Sequence, residues 1–288
     1  MTQETPDIAP ATWDLPYFDH ILTLLGDGDS EVIEFFGRHV HWGYWPDPTR
    51  AAGSVRNYAE AAERLTQAVL AAAKIRSGQR VLDVGCGFGG TLDLLNQRHS
   101  RLGLVGLNID LRQLFRARAQ CVLQNENRLA LVAADACLLP FRDKSFDQVL
   151  CVEAVFHFSS RTKFFAEVGR VLAPGGRLTL CDFVPRFVVP WLWDFLDRRF
   201  KPMVTRLFGH NDARCTLADY RRVARSCGLR LDRRLDVTRH TMPTYRALRP
   251  LIRRIAPDPD GAEEVIRRVE FASRIGLLRY LILSFRPR

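Results

Sequence analysis

A glycine-rich turn that follows a short apolar run constrains the fold of this chain more than any other feature. The run reads RVLDV at residues 80–84, and GCGFGG follows at residues 85–90. Apolar, β-branched residues before clustered glycines predict a buried strand, and residues 91–97 have the pattern of a helix. Glycines at such a turn allow positive φ angles and let backbone N–H groups approach a ligand closely. The sequence therefore predicts a ligand-binding loop between a strand and a helix.

Strand-like and helix-like segments alternate through the rest of the chain. Strands are expected at 102–107, 129–133, 146–152, 176–183, 229–237 and 277–285, and helices at 111–123, 161–172 and 216–226. An alternation of this kind implies a parallel sheet that helices cover on both faces.

Three regions do not follow this alternation. Residues 15–73 read as helices around an aromatic, Gly- and Pro-containing loop at 39–48, and residues 185–211 and 241–275 read as helical insertions. We therefore predict an α/β fold with an N-terminal helical lid at residues 1–76. A core follows at residues 77–288, with insertions at about 185–215 and 240–276 that would form a substrate cap.

Composition and charge narrow the class of protein. Lys and Arg number 19 against 20 Asp and Glu in residues 1–180, but 23 against 12 in residues 181–288. The excess of arginine in the last third indicates either an anionic partner or a solvated surface. Without a run of eighteen apolar residues or a signal-peptide pattern, we expect a cytoplasmic protein with no membrane insertion. The seven cysteines include no CxxC pair, so we expect reduced, buried thiols and no metal site.

The acid in the strand before the glycines gives the turn its chemical character. Asp83 would repel a pyrophosphate and suits a cationic ligand group. The pattern Asp83-x-Gly85-x-Gly87-x-Gly89 resembles motif I of the class I S-adenosylmethionine-dependent methyltransferases. The passages LPFRDKSFD at 139–147 and RVLAPGGR at 170–177 resemble that family's later landmarks in the expected order. The resemblance spans residues 80–182. It implies a Rossmann-like, mostly parallel sheet of seven strands in the order 3-2-1-4-5-7-6, with S-adenosylmethionine as the cofactor.

The same resemblance implies a set of cofactor-binding residues. Asn108 stands where many relatives have a ribose-binding acid, and Asp110 is then either a supporting residue or a helix cap. Tyr44 and Trp45 belong to an element, HWGYW, that is similar to one in sterol and tocopherol enzymes, and they would either cover the cofactor or form the core of the lid. The full predicted set is Asp83, Gly85, Cys86, Gly87, Gly89, Asn108, Ile109, Asp135, Ala136, Glu153, Tyr44 and Trp45.

The resemblance also implies a catalytic pair. In similar sugar and polyketide O-methyltransferases a His after the fourth strand works with an Asp that closes the fifth, and these positions are His157 and Asp182. Some relatives have two adjacent His here, and Phe156 replaces the first. We expect His157 to be the general base, oriented by Asp182, or else to pack locally.

Several functions remain open at this stage. The leading expectation is O-methylation of a hydrophobic small molecule such as a polyketide, which the arginines would bind through an acidic group. The alternatives are C-methylation of an isoprenoid and a cofactor-fold binding protein without chemistry. An NAD-dependent oxidoreductase would need a Tyr-x-x-x-Lys pair, which the sequence lacks. A nucleic-acid enzyme would need Asn/Asp-Pro-Pro-Tyr/Phe where this chain has CVEA at 151–154. The sequence also allows an oligomer.

Overall fold

The fold is an α/β sandwich around one seven-stranded sheet. The computed structural model describes residues 15–187, 202, 204–206, 209, 212–256 and 258–288. The strands are β1 (Arg80–Val84), β2 (Gly103–Asn108), β3 (Arg128–Ala133), β4 (Phe146–Val152), β5 (Leu172–Pro185), β6 (Leu229–Asp236) and β7 (Leu278–Pro287). The described helices are α1 (Pro16–Gly26), α2 (Ser30–Phe36), α3 (Val55–Ala73), α4 (Gly90–Arg98), α5 (Leu111–Gln120), α6 (Arg161–Val171), α7 (Leu217–Ser226), α8 (Thr238–Thr241), α9 (Pro243–Ile255) and α10 (Pro259–Arg274).

The strand order is β3-β2-β1-β4-β5-β7-β6, as predicted. The first five strands pair in parallel, whereas β7 runs antiparallel to both β5 and β6. Helices cover both faces of the sheet, and the central strands are therefore continuous apolar runs rather than alternating ones. Because the carboxyl ends of parallel strands share one edge of the sheet, the loops after β1, β2 and β4 meet there.

The predicted elements agree with the observed ones except at their ends. The helix expected at 111–123 stops at Gln120, and β5 begins at Leu172 rather than at residue 176. Asp110 is the N-cap of α5, where its side chain accepts a hydrogen bond from the N–H of Arg112. The insertion predicted at 185–211 lies mostly outside the described residues. The second insertion, at 241–275, consists mainly of α9 and α10.

The N-terminal helices and the second insertion share one hydrophobic core. Phe18 and Ile21 of α1, Val32 of α2 and Tyr58 of α3 are buried in the same cluster as Leu251 of α9. We call this assembly of α1–α3, α9 and α10 the cap. A division of the chain at residue 76 remains a prediction, because the two sequence-distant parts of the cap are packed together.

Two expectations about the whole chain meet the structure directly. All seven cysteines are free, and six of them are buried, as predicted for reduced thiols. No helix within the described ranges combines the length and the apolar character needed to cross a membrane.

Candidate active site

A cavity lies at the carboxyl edge of the sheet, where β1, β2 and β4 end. Its volume is about 930 Å³ when the space open to solvent is included. We call it the cofactor cavity. Nine of the residues predicted to bind the cofactor line it, namely Asp83, Gly85, Cys86, Gly87, Asn108, Ile109, Asp135, Ala136 and Glu153.

Asp83 supplies a buried, unsatisfied negative group on the wall of this cavity. Its residue surface is 1% exposed, and neither carboxylate oxygen has a hydrogen-bond partner among the described residues. Burial raises the pKa of the Asp83 carboxyl to about 7. A buried carboxyl without a donor is costly, and a ligand ammonium group would relieve that cost. The site therefore fits the cationic amino-acid end of S-adenosylmethionine.

The glycines of the loop have different roles. Gly87 has a φ of 54°, and a side chain there would extend into open space, with only Gln113 Oε1 at 3.9 Å. Gly89 does not line the cavity. A Cβ at Gly89 would stand 2.8 Å from the Cβ of Ala117, so this glycine allows α4 and α5 to pack closely. The structure thus gives Gly89 a packing role, and its predicted contact with the cofactor stays a prediction.

Two buried amides occupy the position of the missing ribose-binding acid. The Asn108 side chain donates to Gln113 Oε1 over 3.1 Å, and its own oxygen accepts from the Asp110 N–H at 3.0 Å. Asn108 and Gln113 both line the cofactor cavity. Sequence reasoning missed Gln113, whose only signal is its place on the first turns of α5.

A second, larger cavity adjoins the first and lies under the cap. Its volume is about 1200 Å³ on the same basis. We call it the acceptor cavity. No Arg or Lys is present in its described lining, which is dominated by aliphatic and aromatic side chains. The residues that line both cavities, and thus mark the junction, are Tyr17, Val40, His41 and Glu153.

The described contacts give His157 and Asp182 different partners, and a catalytic role for either residue stays a prediction. His157 lines the cofactor cavity, and its Nε2 lies 3.3 Å from the hydroxyl of Tyr17. Asp182 lines the acceptor cavity instead, and no hydrogen bond joins the two side chains where the structure describes them. Asp182 Oδ2 accepts hydrogen bonds from Arg161, at 3.2 Å, and from the hydroxyl of Tyr220.

The sequence does not reveal these partners, because they come from distant elements. Arg161 is the first residue of α6 and Tyr220 lies on α7, and both are buried. Burial raises the pKa of Asp182, while Arg161 and Tyr220 act against that rise. A buried carboxyl held by a guanidinium has a partner that outcompetes a neutral imidazole.

The structure also corrects the assignment of Tyr44 and Trp45 to the cofactor. Neither residue lines either cavity. Tyr44 stacks on His240 with 4.7 Å between ring centroids. Trp45 is 2% exposed in the cap core and donates from its indole N–H to Asn57 at 2.8 Å. Trp42 is the aromatic residue of this element that lines the acceptor cavity, and it also donates its backbone N–H to Glu153 at 2.8 Å.

A buried polar network holds the segment before Trp42 against the core. The Nε2 atom of His39 is 2.8 Å from Glu63, and its Nδ1 is 3.2 Å from His41 Nε2. Arg38 forms an ion pair with Asp93 of α4 at 3.0 Å. His39 and His41 both line the cofactor cavity, although neither belongs to the set of cofactor-binding residues predicted from the sequence.

A glycine loop with an unpaired acid, at the carboxyl edge of a 3-2-1-4-5-7-6 sheet, defines a class I methyltransferase. Comparisons with known proteins agree. A family model described as a methyltransferase domain matches residues 82–180. Methyltransferase GfsG from Streptomyces halstedii is 33% identical over 249 residues, which cover 84% of this chain and 86% of that protein. The chain therefore belongs to the S-adenosylmethionine-dependent methyltransferases, and S-adenosylmethionine is its cofactor.

Two further relatives show the range of this family. The 27-O-demethylrifamycin SV methyltransferase of Amycolatopsis mediterranei is 32% identical over 160 residues, or 55% of this chain and 56% of that one. The solved geranyl diphosphate C-methyltransferase of Streptomyces coelicolor A3(2) superposes with a TM-score of 0.68 at 17% identity, covering 97% of this chain and 100% of that one. The latter similarity concerns the fold alone.

Proposed function

We propose that this methyltransferase transfers the methyl group to a hydroxyl oxygen of a hydrophobic, uncharged small molecule. The observation that carries the proposal is the acceptor cavity, which is larger than the cofactor cavity and apolar over most of its wall. Apolar cavities with a few polar groups are typical of sites for hydrophobic small molecules. The name of the relative 27-O-demethylrifamycin SV methyltransferase supports a natural-product acceptor.

The charge of the cavity weighs against an anionic acceptor. Its described lining includes the carboxyl groups of Glu153 and Asp182 and no Arg or Lys. In the part of the lining that the structure describes, a diphosphate or carboxylate group would meet these acids and no cation. C-methylation of a prenyl diphosphate is therefore the weaker candidate, and the acidic group expected on the acceptor from the arginine-rich sequence gains no support.

When bound, S-adenosylmethionine supplies an electrophilic methyl group on a positively charged sulfur. Asp83 would hold the amino-acid end of the cofactor, and Asn108 and Gln113 would bind the ribose. Tyr17 of α1, together with Val40 and Trp42 of the loop between α2 and α3, would exclude water from the junction and hold the acceptor against it. Glu153 and His157 are the titratable residues near the junction that are placed to handle the proton of the acceptor.

The proposal is tested by incubating the protein with methyl-labelled cofactor and extracts of natural products, and then locating the label by NMR. We expect an O-methyl signal in a product without phosphate or carboxylate groups. A labelled methyl on carbon, or a product that carries a diphosphate, would contradict it.

A further inference from the structure

The carboxyl group of Glu153 lies where the two cavities meet. Glu153 directly follows β4, and its φ of 49° places a residue with a side chain in the left-handed region. Such backbone strain persists only where the surrounding structure imposes it, and it is common at active sites. The strained turn carries the Glu153 side chain into the lining of both cavities.

The other residues at the junction are poorly suited to take a proton. Val40 has no titratable group. The Tyr17 hydroxyl already contacts His157 Nε2, and burial raises the pKa of Tyr17 far above its usual range. His41 donates from Nδ1 to the Trp42 carbonyl at 2.9 Å, and its Nε2 lies within 3.2 Å of the His39 ring. Because burial lowers the pKa of His41 to about 3, this ring stays neutral.

In Glu153, by contrast, one carboxyl oxygen accepts hydrogen bonds from the protein and the other is available to a ligand. Its Oε1 accepts the Trp42 N–H at 2.8 Å and also the hydroxyl of Tyr280 from β7. Among the described residues, no donor forms a hydrogen bond to Oε2. This atom is also not one of the side-chain oxygens that are fully buried and lack a hydrogen-bond partner. Oε1 therefore fixes the carboxyl group in place, while Oε2 is the oxygen that a ligand in the cavities would meet.

The surroundings of Glu153 disfavour its negative charge in the cofactor-free protein. The titratable residues around it are Asp182 and Cys181 on β5, Tyr280 on β7, Tyr17 and Tyr58 on the cap helices, and the neutral His41 in the loop between α2 and α3. Burial raises the pKa of Glu153 to about 8, and Asp182 acts in the same direction, while the hydrogen bonds from Tyr280 and Trp42 oppose the rise. The carboxyl group is therefore protonated at neutral pH until a cation arrives in the adjoining cavity.

Resting on the proposed function, we propose that Glu153 is the catalytic base, and that the sulfonium charge of the bound cofactor makes it ionise. In the step, the acceptor O–H bond and the bond from sulfur to methyl break, and a C–O bond and the Glu153 Oε2–H bond form. The electron pair of the broken S–C bond stays on sulfur, and the acceptor oxygen keeps the pair of its O–H bond to attack the methyl carbon. The positive charge on sulfur and the negative charge on Glu153 disappear together, so the buried site ends neutral.

The test measures the number of protons released on cofactor binding, not the rate of turnover. S-adenosylmethionine and S-adenosylhomocysteine are each titrated calorimetrically into the cofactor-free protein at pH 7, in two buffers that differ in ionisation enthalpy. The dependence of the heat on the buffer gives the protons released. We expect about one proton more with S-adenosylmethionine, because only that ligand has the sulfonium charge. The Asp83 contribution cancels in the difference, since both ligands have the same amino-acid end.

Two variants make the test specific. Glu153→Gln keeps an oxygen for Trp42 and Tyr280 but cannot ionise, so the extra proton should disappear. Asp182→Asn removes another buried carboxyl, which lines only the acceptor cavity and contributes less than burial to the raised pKa of Glu153, so most of the extra proton should remain. Equal proton release by both ligands in the wild-type protein, or an extra proton that survives Glu153→Gln, would overturn the inference. A C-methylated product would overturn the proposed function without altering this proton count, so the two failures are distinguishable.

Discussion

The two cavities of this protein are built in opposite ways. The cofactor cavity is lined mostly by the ends of β1 to β4 and the short segments that follow them, and N-terminal residues between 15 and 41 complete it. The acceptor cavity is closed by residues from both ends of the chain. Gly43 donates its N–H to Thr244 Oγ1 at 3.1 Å, and Arg254 forms ion pairs with Asp29 and Glu31.

This difference separates the binding of the cofactor from the recognition of the acceptor within one fold. Loops at the strand ends can hold a common cofactor with backbone groups and a few fixed side chains. A cap assembled from distant helices can change its lining without disturbing the sheet. Changes in the loop and in the cap should therefore affect different ligands, which the following variants test.

The largest effect is expected at the glycine loop. Gly87→Val would place a branched side chain in the open space of the cofactor cavity. We expect the affinity for S-adenosylhomocysteine to fall more than about 100-fold, which is about 2.7 kcal/mol. Calorimetric titration measures this. Gly78→Val is the matched control, because Gly78 has a φ of 83° and open space around it but lies outside both cavities. Similar affinities for the two variants would contradict the assignment.

Thr244→Val should weaken the cap and acceptor binding while leaving cofactor binding almost unchanged. This change removes the acceptor of the buried Gly43 N–H, which costs about 1–3 kcal/mol. We expect a lower melting temperature and weaker acceptor binding, with cofactor affinity within about twofold of wild type, since an intact loop holds the cofactor. Thermal denaturation and calorimetry provide the two readouts. As a control, Thr162→Val at an exposed position should change neither the melting temperature nor the affinities. If Thr244→Val lost cofactor affinity, the cap and the cofactor loop would not be independent.

A smaller effect is expected from His157→Ala. If Glu153 is the base, His157 acts as a positioning residue through its contact with Tyr17, and one hydrogen bond contributes about 1 kcal/mol. We expect kcat to fall about fivefold, with the pH dependence of kcat unchanged, because Glu153 rather than His157 would set it. Steady-state kinetics with the acceptor found by labelling measures this. A loss of 10²–10⁴-fold with an altered pH profile would return the role of base to His157.

The smallest effect is expected from salt. Screening acts on exposed charges over about 10 Å at 0.1 M salt. Because no Arg or Lys is present in the described lining of the acceptor cavity, the acceptor KM should change less than about twofold between low and high salt. Enzyme assays across a salt series measure it, with cofactor affinity as the internal reference. A KM that rises steeply would support recognition of an acidic group.

The arginine excess of the last third has another use in the structure. Many of these arginines pair with acids on the surface of the cap helices, where each pair contributes little to stability. Examples are Arg253 with Glu263 and Arg268 with Glu264. Composition alone could not distinguish this surface from a binding site for an anion.

The errors in the predicted site share a cause. Asp182 lies in β5 and His157 follows the neighbouring strand β4, and the resemblance to other O-methyltransferases suggested a pair. Instead, the buried Arg161 and Tyr220 donate hydrogen bonds to Asp182. Tyr17, which is 140 residues from His157 in the chain, contacts the imidazole. Similarly, aromatic character alone could not tell Trp42, at the acceptor cavity, from Trp45, which is buried against α3.

The sequence by itself determined the alternation of strands and helices and the glycine loop, because these depend on local periodicity and on turn residues. Its resemblance to the methyltransferases supplied the sheet order and nine residues of the cofactor cavity. Only the tertiary structure decided which side chains hold the two acids beyond the loop, how the two ends of the chain form one cap, and which carboxyl stands at the junction. Burial and hydrogen-bond partners set the chemistry of an ionisable group, and for Glu153 those partners, Trp42 and Tyr280, lie more than 100 residues away in the chain.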